Sequence, residues 1–140
     1  MKDWTRIYRL GHQLIIPTRI GNAPTKLFIM DTGTSAPLIS PQAAREVTHV
    51  DSNDRLHVRG IGGEVKNVLQ AESVLIQFAQ VQQRVTGMTS IDTSAISRAL
   101  GVEIAGFIAF PTLKELIITI DYRDNLIHVV YDPKHGLHAH

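Results

Sequence analysis

Asp31 closes an apolar run. The stretch Leu27–Ser40 reads LFIMDTGTSAPLIS, so a carboxylate follows four apolar residues and precedes Thr32, Gly33, Thr34 and Ser35. The run before it is strand-like on both faces, which is the pattern of a buried strand. A carboxylate there is costly unless it is hydrogen-bonded or paired. The following residues supply donors. Gly33 allows a backbone geometry that brings its N–H to the carboxylate, and Thr34 and Ser35 carry hydroxyls. A carboxylate held this way is a candidate general acid or base. The tripeptide alone leaves a second reading open, in which Asp31 simply starts and caps a turn, as Asp does before Gly.

A second feature lies downstream. HVRGIGGEVKNV places Gly60, Ile61, Gly62 and Gly63 at the tip of an expected hairpin. Such a tip can close over an extended peptide, exclude water and hold the peptide like an added strand. Taken alone it reads more readily as an ordinary glycine-rich hairpin; behind an Asp-Thr-Gly strand it reads as a flap. It lacks the third spaced Gly and the long helix of a dinucleotide fingerprint, and it is not a P-loop.

Other reactive side chains form no constellation. His135, His138 and His140 cluster in PKHGLHAH, the pattern of a frayed tail rather than a metal site. His12, His49, His57 and His128 are scattered without ligand spacing. Ser35 and Ser40 lack a nucleophile elbow. Asp121, in TIDYRD, is read as a surface residue or an ion-pair partner of Arg123. Trp4 and Tyr8 alternate along the first strand and suit core packing or an interdomain contact. No metal or cofactor is expected.

The elements that must position Asp31 are short strands. TRIYRL and QLIIPTRI are expected strands around a Gly11-His12 turn, and Ile20-Gly21-Asn22-Ala23-Pro24 is a second turn before the strand KLFIMD. ESVLIQFA and QVQQRVTGM follow as strands. ELIITIDYRDNLIHVVYD reads as a hairpin around Arg123-Asp124-Asn125. Helices are few. Ser40 and Pro41 are start signals for SPQAAREV; Asp92 or Thr93 caps DTSAISRAL, which Gly101 stops; FPTLKEL makes one or two turns. The pattern is that of an antiparallel all-β fold.

Bulk properties agree. The 140 residues suit a single domain spanning 1–140, with apolar residues at 44% and charged residues at 19%. A net charge of +1 with interspersed signs offers no nucleic-acid footprint. Cysteine is absent, so disulfide and thiolate chemistry are excluded within this chain and the redox compartment stays open. No apolar run reaches membrane-spanning length. The start, MKDWTRIYRL, has no apolar signal core and reads like a piece cut from a longer chain, so localisation is left unassigned.

From about Gln13 to Tyr131 the sequence resembles the retropepsin-like aspartic proteases. In that family an apolar strand ends in Asp-Thr-Gly, as here in Asp31-Thr32-Gly33; a glycine-rich flap lies downstream, like Gly60–Gly63. Two apolar residues and a Gly then precede a short helix, like Ile104-Ala105-Gly106 before FPTLKEL. ITIDYRDNLIHVVY matches, in style, the final strands of bacterial members. The resemblance implies a closed β-barrel of the acid-protease type with one or two short helices. It further implies endopeptidase activity, with one catalytic Asp per domain and a second domain supplying the other. Two adjacent carboxylates cannot both ionise cheaply, so the pair shares a proton and activates one water. On this resemblance Asp31 is the acid/base, Thr32 bonds across the pair, Gly33 bonds the carboxylate through its backbone, and Gly60, Ile61, Gly62 and Gly63 cover the substrate. Thr34 departs from the Ala of many retropepsins and matches the Ser of pepsin-like motifs, whose hydroxyl reaches the outer carboxylate oxygen. A single-chain pepsin needs a second such motif, and Asp92-Thr93-Ser94 lacks its Gly. The expected partners are therefore a peptide or protein substrate and a second copy or related domain. Two rivals remain: a catalytically silent dimerisation or peptide-binding module of the same fold, and a sugar- or lipid-binding barrel in which Asp31 is a turn residue.

Overall fold

The computed structural model describes residues 4–52, 58–60, 63–65 and 69–132. The chain opens with β1 (Trp4–Arg6), β2 (Tyr8–Leu10), β3 (Gln13–Ile20), β4 (Lys26–Asp31) and β5 (Leu38–Ile39). Helix α1 (Pro41–Arg45) leads to β6 (Val50–Ser52), the hairpin β7 (Val58–Gly60) and β8 (Gly63–Val65), and the long hairpin β9 (Leu69–Phe78) and β10 (Val81–Ser90). Helix α2 (Ser94–Leu100), β11 (Ile104–Ala109), the single turn α3 (Phe110–Leu113), β12 (Leu116–Asp121) and β13 (Leu126–Tyr131) complete it.

Six strands close a barrel. The neighbours run β3, β4, β11, β5, β10, β9, and β9 returns to β3 through Arg19↔Gln77 and Ile20↔Ile76. β3 manages both contacts because it is long: residues 14–18 pair with β4, and its last two with β9. Closure pairs β9 with β3, the two strands that would end an open sheet of these six. Strands β1, β13 and β12 form a separate three-stranded sheet.

Burial explains why β4 is apolar on both faces. Phe28 points into the barrel core with Ile16, Ile20, Ile39, Met88 and Ile108. Ile29 belongs to a second cluster with Ile15 and Ile104, packed against Ile96, Leu100 and Phe107. Each fully buried side chain of this size contributes about 2 kcal/mol. Gly101 ends α2 in the left-handed conformation, and Ser40 caps α1 by accepting a hydrogen bond from the Ala43 N–H at 3.2 Å.

Three expectations are corrected. TRIYRL is two strands, not one, because the chain switches sheets at Ile7, whose N–H bonds the Asn125 carbonyl. Trp4 and Tyr8 therefore sit in different sheets. Trp4 packs on His128 with ring centroids 5.5 Å apart, while Tyr8 is exposed. Asp121 does not pair with the Arg123 guanidinium: its Oδ1 accepts from the backbone N–H groups of Arg123 and Asp124, which closes the β12–β13 turn.

Candidate active site

The loop carrying Asp31 is held by an unusual strand order. β4 and β5 are joined by residues 32–37, yet they are not neighbours, because β11 lies between them. β11 runs parallel to β4 and antiparallel to β5, so the loop must pass over the C-terminal end of β11. There Ala109 sits opposite Asp31. Gly106 makes the arrangement sterically feasible. A Cβ at this position would lie 2.2 Å from the Leu38 carbonyl oxygen and 2.6 Å from the Phe28 ring. A side chain would push apart the two strands that flank the loop.

Within the loop the carboxylate of Asp31 is fixed at both oxygens. The Gly33 N–H donates to Oδ1 at 2.9 Å, and the Thr34 hydroxyl donates to Oδ2 at 2.7 Å. The Thr34 N–H also approaches the Asp31 carbonyl at 3.4 Å. No cation pairs with Asp31 among the described residues. Ionised, the group would be oriented by two donors but not neutralised, which leaves it open to a water, a substrate or a second acid.

The structure sets Asp31 half-exposed, whereas the sequence pattern suggests a carboxylate inside the core. Burial in β4 peaks at Phe28 and Ile29 and fades toward the strand end. Thr32, Gly33 and Ser35 are exposed, and Thr34 is half-buried. Of the two hydroxyls after Gly33, only that of Thr34 reaches the carboxylate; Ser35 does not.

The glycine-rich segment forms an antiparallel hairpin in which Gly60 pairs with Gly63. Ile61 and Gly62 lie outside the described residues, as do His57, His135, His138 and His140. Among the described residues no group of three or more metal-ligating side chains converges. No helix among the described residues is long and apolar enough to cross a membrane.

Asp92 presents a similar local motif at the start of α2. It accepts from the Ser94 hydroxyl and from the Ser94 N–H, and these bonds, led by the hydroxyl, hold its carboxyl below the usual carboxylate range. Sequence reasoning missed two features near the site. One is the two-residue strand β5, too short to show any period. The other is the placement of Ala109 beside Asp31, which depends on a parallel pairing between segments about seventy residues apart. It also gave no sign of a groove of about 700 Å3 between the edge of β10 and the terminal sheet, lined by neither Asp31 nor its loop.

No protein-family model and no curated protein matches the sequence. Among solved structures the chain is similar to EIAV protease complexed with the inhibitor HBY-793. The two are 17% identical, with a TM-score of 0.38, over 70% of this chain and 97% of that one. Overlap at this level leaves the reading of the site to its own geometry.

Proposed function

We propose that this chain is one half of an aspartic endopeptidase, with Asp31 supplying one carboxylate and a second copy or related domain supplying the other. The observation that carries the reading is the fixing of both Asp31 oxygens by the Gly33 N–H and the Thr34 hydroxyl, with no cation beside them among the described residues. A carboxylate steered this way can sit against another carboxylate and share one proton. The ionised member removes a proton from water while the water oxygen bonds to the peptide carbonyl carbon. The protonated member donates to the carbonyl oxygen as it gains charge. The carboxyl that took the water proton then gives it to the amide nitrogen. The C–N bond breaks as one hydroxyl of the tetrahedral diol returns its proton to the other carboxylate. A carboxylic acid and an amine leave, with the pair again holding one proton. Thr32 is assigned to the contact across the pair, and Gly60, Ile61, Gly62 and Gly63 to the cover over the peptide.

A second reading has an observation in its favour. Asp92 and Asp121 also accept a hydrogen bond from the N–H two residues ahead, with no catalytic setting. Asp31 could be a third such turn in a catalytically silent peptide-binding or dimerisation module. It differs in having its second oxygen engaged by Thr34.

The test is cleavage of a diverse peptide library at acid pH by the intact chain, by Asp31→Asn and by the chain with a statine-type inhibitor. The endopeptidase reading expects cleavage that falls by about three orders of magnitude or more in Asp31→Asn, since a shared acid/base is lost. A folded Asp31→Asn protein that cleaves as well as the parent removes Asp31 from the chemistry and ends the endopeptidase reading; a parent dimer that cleaves nothing leaves the silent module.

A further inference from the structure

We propose that the groove between β10 and β13 docks an extended segment of another protein, one that carries a Lys or Arg side chain. Three consecutive residues of β10, Val81–Gln83, line this groove, as do four consecutive residues of β13, His128–Tyr131. Side chains alternate between faces of a strand, so consecutive lining residues mean that the groove follows the strand edges, not a sheet face.

Both edges lack a described neighbour there. β10 pairs with β9 along one edge at every residue but Gly87, and with β5 on the other only at Thr89 and Ser90. β13 pairs fully with β12, but with β1 only from Leu126 to His128. The outward N–H and C=O groups of Val81–Thr86 and Val129–Tyr131 have no described strand beside them. An extended backbone is the ligand that satisfies such edges in register.

The lining favours a particular peptide. Leu116 and Val129 are buried and give an apolar floor for alternate side chains. Thr112 is also buried there, and its hydroxyl is occupied by the Gln83 side chain. Val130 and Tyr131 stand exposed at the rim by 42% and 62%, available to cover a bound strand. Glu115 is the one lining side chain with a formal charge at neutral pH. Its half-buried carboxylate has no ion-pair partner among the described residues. In a chain of net charge +1, this groove is locally anionic. A basic side chain at the Glu115 end complements it, and partial burial strengthens the attraction relative to an open surface. Nothing in this assignment depends on Asp31.

The experiment uses the intact chain carrying Asp31→Asn, so that binding is read without cleavage. Labelled acetyl-Lys-Val-Thr-Val-Thr-Val-amide is titrated by fluorescence anisotropy, beside the same peptide N-methylated at alternate amides and a version with Glu for Lys. Saturable binding is expected, weakened roughly tenfold or more by N-methylation, because main-chain bonds carry the affinity. Glu115→Gln and the Glu-for-Lys peptide each weaken it roughly threefold or more, and Val130→Asp lowers it too. Circular dichroism checks that each variant is folded; the N-methylated probe needs no variant at all. Absence of saturation, or equal binding of the methylated probe, overturns the proposal. So does self-association of the chain that Val130→Asp abolishes, which gives the groove to a second copy. Peptide binding that tightens roughly tenfold on removal of Met1–Asp3 likewise overturns it, by giving the groove to the chain's own N-terminus.

Discussion

Asp31, Asp92 and Asp121 each accept a hydrogen bond from the backbone N–H two residues ahead, so that bond cannot by itself mark a catalytic acid. What separates Asp31 is the Thr34 hydroxyl, 2.7 Å from its other oxygen. A hydrogen bond to an ionised group contributes about 1.5–3 kcal/mol, toward the lower end where water has partial access. Thr34→Ala should therefore slow peptide cleavage by about tenfold, with the larger change in kcat because the carboxylate loses its orientation. Thr34→Ser should restore most of that loss, since on the proposed reading the hydroxyl bond to Asp31 is what orients the carboxylate. Steady-state kinetics of the two variants on one peptide decide it; equal rates in Ala, Ser and parent remove Thr34 from the site.

At the scale of elements, two predictions follow from how strands and helices are joined. Gly106 sits where β4, β11 and β5 close together, and its added Cβ would meet the Leu38 carbonyl, which is backbone and cannot rotate away. Gly106→Ala should cost about 3 kcal/mol by overpacking, read as a lower urea midpoint. An unchanged midpoint means that the strands part more easily than this packing implies. The second concerns Asp92, whose bonds to Ser94 anchor the start of α2 and depress its carboxyl. A depressed carboxyl stabilises the fold above its unfolded value near 4, and the contribution disappears as pH falls through the lower folded value. The parent should thus be more stable than Asp92→Asn at neutral pH, and the gap should close below about pH 4. The gap is small because Asp92 is exposed to solvent. Thermal melts of the two proteins across that range give the answer; a gap that widens in acid contradicts the assignment. These elements also show what the sequence could and could not say. The long strands β3, β9 and β10 and the hairpin β12–β13 were legible because apolar residues recur over several positions between clear turn signals. The break at Ile7 was not, because Trp4–Leu10 reads as one alternating run and only pairing with two different sheets divides it. At the site, the donors of Gly33 and Thr34 could be foreseen from spacing. The exposure of the carboxylate could not, since it depends on where the barrel ends.

The whole chain carries one Asp-Thr-Gly motif on an exposed loop, with Thr32, Gly33 and Ser35 open beside the carboxylate. On the proposed endopeptidase reading, a water-activating pair therefore needs a second molecule or domain, and assembly would control activity by mass action. If two copies form the unit, activity per chain should fall on dilution through the dissociation constant, in step with the mass measured by sedimentation. Mixing makes the sharper experiment. Asp31→Asn chains keep the surface that pairs but bring no second ionisable acid. Added in equal amount and allowed to exchange, they should leave roughly a quarter of all pairs with two intact carboxylates, by random association in a two-fold dimer. Total activity should then drop to about half of that of the parent alone at the same parent concentration, because half of the parent chains are spent in mixed pairs. A single-domain enzyme would show no such loss, and neither would a dimer in which each subunit holds a complete site. Full activity in the mixture, with exchange verified by mass, would place the second acid within one chain and contradict the shared centre.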